Sequence, residues 1–146
     1  MEENYMLEAL KEAQKALEIS EVPVGAIIVK DGKIISRAFN LKESLKDATA
    51  HAEMLAIRKA SEVLGSWRLN GCEMYVTLEP CPMCAGAITQ SRISELYIGT
   101  FDPVAGACGS VMDTIYKERS SGRIRVNWMY DERCSKIMEE FFKEIR

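Results

Sequence analysis

The length, composition and net charge of −3 favour one soluble domain and exclude a uniformly basic nucleic-acid binder. The 146 residues, 47% hydrophobic and 28% charged, can bury about two-thirds of their unfolded surface as a single domain over residues 1–146. No apolar stretch approaches the ~20 residues that cross a membrane, and five acidic residues among the first twenty do not fit a signal peptide, so we expect a cytoplasmic protein.

The first third of the chain predicts a helix followed by a hairpin. Leucines and alanines recur at helical spacing over residues 4–18, with Glu and Lys between them, which indicates an amphipathic helix. An apolar strand over 26–29 and a second strand over 34–39 flank Asp31-Gly32, a pair that suits the type I′ turn. A polar loop follows over residues 40–49.

The remainder of the chain predicts strands that alternate with helices. A helix is expected from about residue 50 to 64, because Gly65 can adopt the left-handed conformation that ends helices. The later elements are a strand at 74–78, a helix at 81–91, a strand at 95–99, a loop at 100–110, a short helix at 111–118, a strand at 124–130 and a helix at 132–146. This order predicts a layered α/β domain that opens with a hairpin, and we expect the loop at 100–110 to cover a site.

Two short motifs thirty residues apart predict a metal site. His51 is the only histidine of the chain, and Cys81 and Cys84 stand three residues apart at the start of a predicted helix. One His and two Cys are the ligand number and type that a catalytic zinc takes when its fourth position stays open for water. Positions i and i+3 share one helix face, and the first turn of a helix favours the thiolate that zinc requires.

Glu53 lies two residues after His51 and is not needed as a zinc ligand. We expect this carboxylate to move protons between an activated water and the substrate. A Cys-x-x-Cys pair alone is also typical of structural and redox sites, but Pro80 and the upstream His-x-Glu argue against a thioredoxin-like role. The other cysteines, at 72, 108 and 134, are interpreted as packing or surface thiols.

His-x-Glu followed by Pro-Cys-x-x-Cys resembles the zinc nucleobase deaminases. From about residue 5 to 142, the chain resembles the bacterial tRNA-specific adenosine deaminases in particular. The segments that carry this resemblance are Glu21–Ala26, Thr49–Glu53, Tyr75–Cys81, Met83–Ala87, Ser91–Ile93, Gly109–Ser110, Met112–Asp113 and Phe141–Phe142.

The resemblance implies a three-layer α/β/α cytidine-deaminase-like fold with a five-stranded mixed sheet. It also implies a homodimer with one Zn²⁺ per subunit that hydrolyses the wobble adenosine of a tRNA anticodon stem-loop to inosine and releases ammonia. By position, His51, Cys81 and Cys84 match the zinc ligands and Glu53 matches the proton shuttle.

The resemblance implies further contacts with the substrate. Asn40 matches a residue that hydrogen-bonds the flipped base or its ribose, and Asp102 matches one close to the sugar-phosphate. Val24 and Leu78 match pocket-lining positions, although core packing is an alternative for both, and Phe142 belongs to a pair near the bound RNA. The implied substrate-binding set is Val24, Asn40, Ala52, Leu78, Asp102 and Phe142.

Charge and departures from the family pattern leave alternatives open. Residues 117–146 hold 8 basic and 6 acidic side chains, against 11 and 16 in residues 1–116. The main sources of this excess are Lys117, Arg119, Arg123 and Arg125, which predict either a phosphate-facing patch or a solvated loop.

Residues 120–123 lack the Asn-His pair that members of the resembled family often carry. A deaminase of free nucleobases or nucleosides therefore remains an alternative, as does a zinc-stabilised RNA-binding protein without catalysis.

Overall fold

Helices and strands alternate in the computed structural model, which describes residues 2–115, 118–119 and 122–144. The helices are α1 (Glu2–Glu18), α2 (Ala52–Leu64), α3 (Pro82–Gln90) and α4 (Glu132–Glu144). The strands are β1 (Gly25–Lys30), β2 (Lys33–Phe39), β3 (Cys72–Leu78), β4 (Glu95–Thr100), β5 (Glu118–Arg119), β6 (Gly122–Arg123) and β7 (Arg125–Trp128). The alternation predicted from the sequence is confirmed.

Five of these strands form one mixed sheet in the order β2-β1-β3-β4-β7. Strand β1 pairs antiparallel with both β2 and β3, whereas β3, β4 and β7 run parallel. Strands β5 and β6 form a separate two-stranded pair. The opening hairpin turns at Asp31 and Gly32, whose φ angles of 50° and 75° are both left-handed, as a type I′ turn requires.

The two faces of the sheet carry separate hydrophobic clusters, which makes the architecture three-layered. Ile27 and Tyr75 point to the face covered by α1 and α4, where Tyr75 stacks on Tyr97 with 4.3 Å between ring centroids. Their sequence neighbours Ile28 and Met74 point to the opposite face, which α2 and α3 cover. This alternation follows from the two-residue repeat of a strand and confirms the predicted α/β fold with a five-stranded mixed sheet.

The short helix predicted over residues 111–118 is wrong where the structure describes it. Residues 111–115 are not helical, and residues 118–119 form β5. The physical reason is that the backbone of this segment bonds to an earlier loop: the amide of Met112 donates to Gly106 at 3.1 Å, and that of Thr114 donates to Ala107 at 2.8 Å. Residues 116–117 lie outside the described part.

The ends of the last two elements also differ from the expected bounds. The strand predicted to reach residue 130 stops at Trp128, and Tyr130 has a left-handed φ of 50° that is incompatible with a strand. Helix α4 is described to Glu144, so residues 145–146 of the predicted helix lie outside the described part. None of the described helices has the length and apolar character needed to span a membrane.

Gly25 lets α1 pack directly on β1, and we expect Gly25→Ala to destabilise the fold. A Cβ at this position would lie 2.5 Å from the amide nitrogen of Ala13 and 2.9 Å from the Cβ of Glu12. Overpacking of this kind costs about 1–3 kcal/mol in the free energy of unfolding, measured by chemical denaturation. Gly86→Ala is the matched control, because a Cβ there meets nothing within 4 Å and Gly86 lies in a helix, where Ala stabilises by about 0.5–1 kcal/mol. Equal stabilities of the two variants would contradict this packing account.

Candidate active site

Three predicted metal ligands meet at the N-terminal ends of two helices. His51 is the N-cap residue of α2 and Cys81 is the N-cap residue of α3, and both have extended backbone conformations. The Nδ1 atom of His51 lies 3.6 Å from the Sγ of Cys81 and 3.5 Å from the Sγ of Cys84. All three ligand atoms lie within 4.8 Å of one another. The spacing of the motifs therefore predicted a real spatial cluster.

These distances fit a tetrahedral zinc ion. Ligand bonds of about 2.3 Å to sulfur and about 2.0 Å to nitrogen, at tetrahedral angles, separate a sulfur from a nitrogen ligand by about 3.5 Å. Cys84 is fully buried, whereas His51 and Cys81 are partly exposed toward a cavity. In the described part of the chain no fourth His, Cys, Asp or Glu joins the cluster. This donor set matches a catalytic site with one open position rather than a closed structural site.

The two thiols differ in acidity because they hydrogen-bond to each other. The bond from Cys84 lowers the pKa of Cys81 to about 4; burial opposes this change and the His51 contact supports it. The same contact with Cys81, together with burial, raises the pKa of Cys84. The bond to Cys81 also raises the pKa of His51. Near neutral pH the Cys81 thiol is therefore ionised, and a divalent cation that binds here would displace the proton of the Cys84 thiol.

Glu53 lies beside the metal ligands in a buried position. Its side chain belongs to the first turn of α2, and the residue is only 4% exposed. Burial raises the pKa of Glu53 to about 7, the charge of Cys81 adds to the rise, and His51 opposes it. A carboxyl group with this pKa can both accept and donate a proton near neutral pH.

A cavity of about 200 Å³ opens above the metal ligands. It brings together eight of the ten site residues expected from the sequence: Val24, Asn40, His51, Ala52, Glu53, Leu78, Cys81 and Asp102. Cys84 lies behind this cavity as the buried ligand. The volume is below the range of pockets for drug-sized ligands, about 300–1,000 Å³, and suits a single small flat group. The individual substrate contacts remain predictions.

Asn40 is fixed by the backbone and keeps free hydrogen-bonding capacity. Its Nδ2 donates to the carbonyl oxygen of Val22 at 3.2 Å, and its Oδ1 accepts from the amide of Lys42 at 3.1 Å. A primary amide has two N–H donors and two acceptor lone pairs. Among the described residues, one donor and one acceptor of Asn40 therefore remain for a molecule in the cavity.

Two buried carboxylates, Glu21 next to the lining residue Val22 and Glu79 at the cavity, were not predicted as site residues from the sequence. They are 1% and 2% exposed and bind backbone amides rather than side-chain cations in the described structure. Glu21 accepts from Glu43 at 3.1 Å and from Ser44 at 2.6 Å. Burial acts against ionisation of Glu21, but these hydrogen bonds and nearby Lys42 outweigh it and lower the pKa. An acidic residue within an otherwise apolar run, such as Glu79 before Pro80, was the available sequence signal.

Phe142 and Arg125 are not among the residues that line the cavity, and the other predicted basic side chains are outside the described part of the structure. Phe142 is 44% exposed and borders a separate depression with Met138, Glu139 and Lys143. Arg125 is exposed and lies 3.8 Å from Glu95. Lys117 and the side chains of Arg119 and Arg123 fall outside the described part, so the phosphate-facing patch remains a prediction.

Comparison with known proteins identifies the family. The sequence pattern described as the cytidine and deoxycytidylate deaminase zinc-binding region matches residues 1–100. The tRNA-specific adenosine deaminase of Bacillus subtilis strain 168 is 48% identical over 99% of this chain and 91% of its own length. The tRNA-specific adenosine deaminase of Aquifex aeolicus strain VF5 is 46% identical over 99% of this chain and 95% of its own length. The chain therefore belongs to the zinc-binding cytidine and deoxycytidylate deaminase family and, within it, to the tRNA-specific adenosine deaminases.

Solved structures support the same grouping. A structure from a study of A-to-I editing by tRNA:A34 deaminases at the wobble position of transfer RNA has a TM-score of 0.83 and 42% identity, and the match covers 92% of this chain and 98% of that one. A guanine deaminase from Bacillus subtilis has a TM-score of 0.65 and 31% identity, with coverage of 82% and 87%. The predicted resemblance is confirmed by these matches.

We expect Cys81→Ala to lose most of the zinc that the wild-type protein binds, since two remaining ligands cannot replace the third. The measurement is zinc content by atomic emission after purification in zinc-containing buffer. Cys72→Ala is the control. Cys72 is also a free cysteine, but it is fully buried in the hydrophobic cluster and does not belong to the three metal ligands, whereas Cys81 is partly exposed. Normal zinc content in Cys81→Ala, or an equal loss in Cys72→Ala, would refute this ligand assignment.

Proposed function

We propose that the chain is a single zinc-dependent deaminase domain that converts the wobble adenosine of a tRNA anticodon stem-loop to inosine. We further propose one zinc ion per subunit, a homodimeric enzyme and action in the cytoplasm. The observation that carries the proposal is the cavity in which the three metal ligands lie beside the buried carboxylate of Glu53. The close relatives named tRNA-specific adenosine deaminases support the choice of substrate.

The residues of the cavity account for each step of proton movement. The reaction forms a bond from C6 of the adenine to the oxygen of water, breaks the C6–N bond and releases ammonia. The chemistry that zinc supplies at such a site is a water whose pKa falls toward about 7. Glu53 takes one proton from the attacking water and delivers it to N1 of the ring. It then carries the second proton to the departing amine, which leaves as ammonia.

The walls of the cavity hold the base for this reaction. Val24, Ala52 and Leu78 provide apolar surface that fits the faces of a heteroaromatic ring. Asn40 offers its remaining donor and acceptor to the polar edge of the base or to the ribose. Enzymes that act on one base of a nucleic acid move it out of the stack into a pocket of this kind.

Lys42 provides a cation at the mouth of the cavity. Its side chain is exposed and borders the opening, and in the described structure no carboxylate forms an ion pair with it. Its backbone amide is bound to Asn40, which fixes the backbone position from which this cation extends. A phosphate of the RNA backbone is the group that a cation in this place would attract.

The second candidate is deamination of a free purine base. The guanine deaminase with 31% identity and a TM-score of 0.65 favours this candidate, since the same fold and family can carry that reaction. The cavity itself fits a free base as well as a flipped one. The greater identity to tRNA-specific relatives, 48% over nearly the full chain, favours the RNA substrate.

The deciding experiment compares substrates. We expect zinc-loaded protein to form inosine in an anticodon stem-loop with adenosine at the wobble position and to leave free adenosine, guanine and cytosine unchanged. Inosine is measured by nuclease digestion and mass spectrometry, and a stem-loop with adenosine only in the stem is the control. Conversion of a free base with untouched RNA would overturn the proposed substrate in favour of the second candidate.

We expect Glu53→Gln to keep zinc and fold but to lose turnover, because the amide cannot carry the proton. General acid–base catalysis contributes about 10²- to 10⁴-fold, and kcat should fall by about this factor or more. The readouts are single-turnover inosine formation, zinc content and thermal unfolding of the same preparation. Wild-type turnover in a zinc-loaded Glu53→Gln protein would disprove the proton-transfer role.

We expect Lys42→Ala to weaken binding of the stem-loop and to reduce its salt dependence. The loss of one phosphate contact lowers the slope of log K against log salt by about 0.7 for single-stranded nucleic acid. Lys33→Ala removes the same charge at the other end of β2, at the hairpin, and is the matched control. Identical salt slopes for Lys42→Ala, Lys33→Ala and the wild type, measured by fluorescence anisotropy, would exclude a phosphate contact by Lys42.

A further inference from the structure

The carboxylate of Glu79 is surrounded by donors from the loop that follows β4. Its Oε1 accepts from the amide of Asp102 at 2.9 Å and from the hydroxyl of Ser110. Its Oε2 accepts from the amide of Cys108 at 2.9 Å and from the amide of Ser110 at 3.1 Å. A carboxylate offers about four acceptor positions, so these four bonds occupy its full capacity.

The loop is shaped to enclose this carboxylate. Gly106 comes so close to Glu79 that a Cβ would collide with the carboxylate and with the hydroxyl of Ser110. The amide of Ala107 donates to the carbonyl oxygen of Pro80 at 2.9 Å, which fastens the loop to the residue between Glu79 and Cys81. The path of residues 102–110 therefore follows from hydrogen bonds to a single buried side chain and to its neighbour.

The same loop forms one wall of the cavity. Asp102 and Ala105 line it, together with Asn40 and Lys42 from an earlier loop. Asp102 in turn accepts from the amides of Val104 at 2.9 Å and Ala105 at 3.2 Å, so its own position decides that of Ala105. The hydrogen bond from the Asp102 amide to Glu79 thus fixes the part of the loop that forms this wall of the cavity.

We propose that Glu79 is a positioning residue. It holds Asp102 and Ala105, which form one wall of the cavity, in the position that the substrate requires. Glu79 borders the cavity, but its acceptor positions are occupied, so it acts on the substrate through the loop. The inference rests on the proposed function only for the identity of the substrate.

Glu21 has a corresponding arrangement with another loop that contributes residues to the cavity. Its two oxygens accept from the amides of Glu43 and Ser44, in the loop that follows Asn40 and includes Lys42. Two loops that contribute residues to the cavity are therefore each bound by one buried carboxylate through backbone amides. The side chain of Glu79 accepts four hydrogen bonds from its loop, whereas that of Glu21 accepts two. Glu79 also holds the longer loop, so it is the better residue for a test.

The replacement of Glu79 by Gln has a specific geometric consequence. If the amide nitrogen took the place of Oε2, it would face two N–H donors, from Cys108 and Ser110. If it took the place of Oε1, it could donate to the hydroxyl of Ser110 but would face the amide of Asp102. The second orientation has fewer conflicts, so Glu79→Gln should release Asp102 and leave most of the other bonds in place.

The test compares Glu79→Gln with Glu12→Gln in the zinc-loaded protein. Glu12 is also 2% exposed, but it lies on α1, on the other face of the sheet, and pairs with Lys15 and Arg37. We expect amide hydrogen exchange in residues 102–110 to accelerate in Glu79→Gln only. We also expect kcat/KM for the anticodon stem-loop to fall by about 10- to 100-fold, mainly through KM, since misplacement of a substrate-positioning group by about 1 Å can have an effect of this size. Zinc content should stay at the wild-type level.

Glu79→Asp separates the positioning role from simple space filling. Asp is shorter but keeps only acceptors, whereas Gln keeps the size but introduces donors. The proposal expects Asp to retain more activity and more exchange protection at residues 102–110 than Gln, and the reverse order would overturn it. Unchanged exchange in Glu79→Gln, or an equal rise of KM in Glu12→Gln, would also overturn it. If the wild-type protein does not deaminate the stem-loop, the proposed function fails, while the exchange measurement still decides whether Glu79 holds the loop.

Discussion

The meeting of His51 with Cys81 and Cys84 is the contact on which the rest of the site depends. Strands β3 and β4 are parallel, so the chain must cross over between them, and α3 therefore begins at the carboxyl end of β3. That corner brings both thiols to the first turn of α3, 3.5–3.6 Å from the imidazole that begins α2. The cavity, the buried Glu53 and the surrounding loops are all arranged around this junction of two helices.

The loop residues that form the walls of the cavity are stabilised by a different interaction from its floor, which consists of His51, Glu53, Cys81 and Cys84. The residues beside the cavity belong to loops that lack a regular ladder of backbone hydrogen bonds, and their amides need other acceptors. Glu21 and Glu79 provide these acceptors from buried positions. Because the oxygens of both side chains accept hydrogen bonds from amides, these polar groups can be buried without a cation at their centre. The irregular walls are therefore fixed by hydrogen bonds to buried side chains.

Local patterns predicted the floor better than the walls. The cluster of His51, Cys81 and Cys84 could be predicted because helix starts and i, i+3 spacing are local properties of a sequence. The role of Glu79 could not, since its partners at residues 102–110 follow more than twenty positions later. The non-helical path of residues 111–115 was missed for another reason, because their amides bond to Gly106 and Ala107, five to seven positions earlier, instead of in the four-residue pattern of a helix. The resemblance placed Phe142 near the RNA, and its separate depression on α4 leaves that role a prediction.

In the proposed reaction, the floor of the cavity carries the chemistry and the walls select the substrate. In this reaction the metal ligands and Glu53 carry out the hydrolytic removal of the amine, and the donor and acceptor that Asn40 leaves unused among the described residues serve the edge of more than one base. Selection of a nucleotide within RNA must therefore come from groups at the mouth. Lys42 offers a cation for a phosphate, whereas Asp102 keeps one carboxylate oxygen outside its bonds to Val104 and Ala105. A free carboxylate oxygen repels phosphate but accepts from a sugar hydroxyl, and the 2′-hydroxyl distinguishes RNA from DNA. In the proposed complex, the phosphate of the ribonucleotide therefore lies toward Lys42 and its sugar toward Asp102.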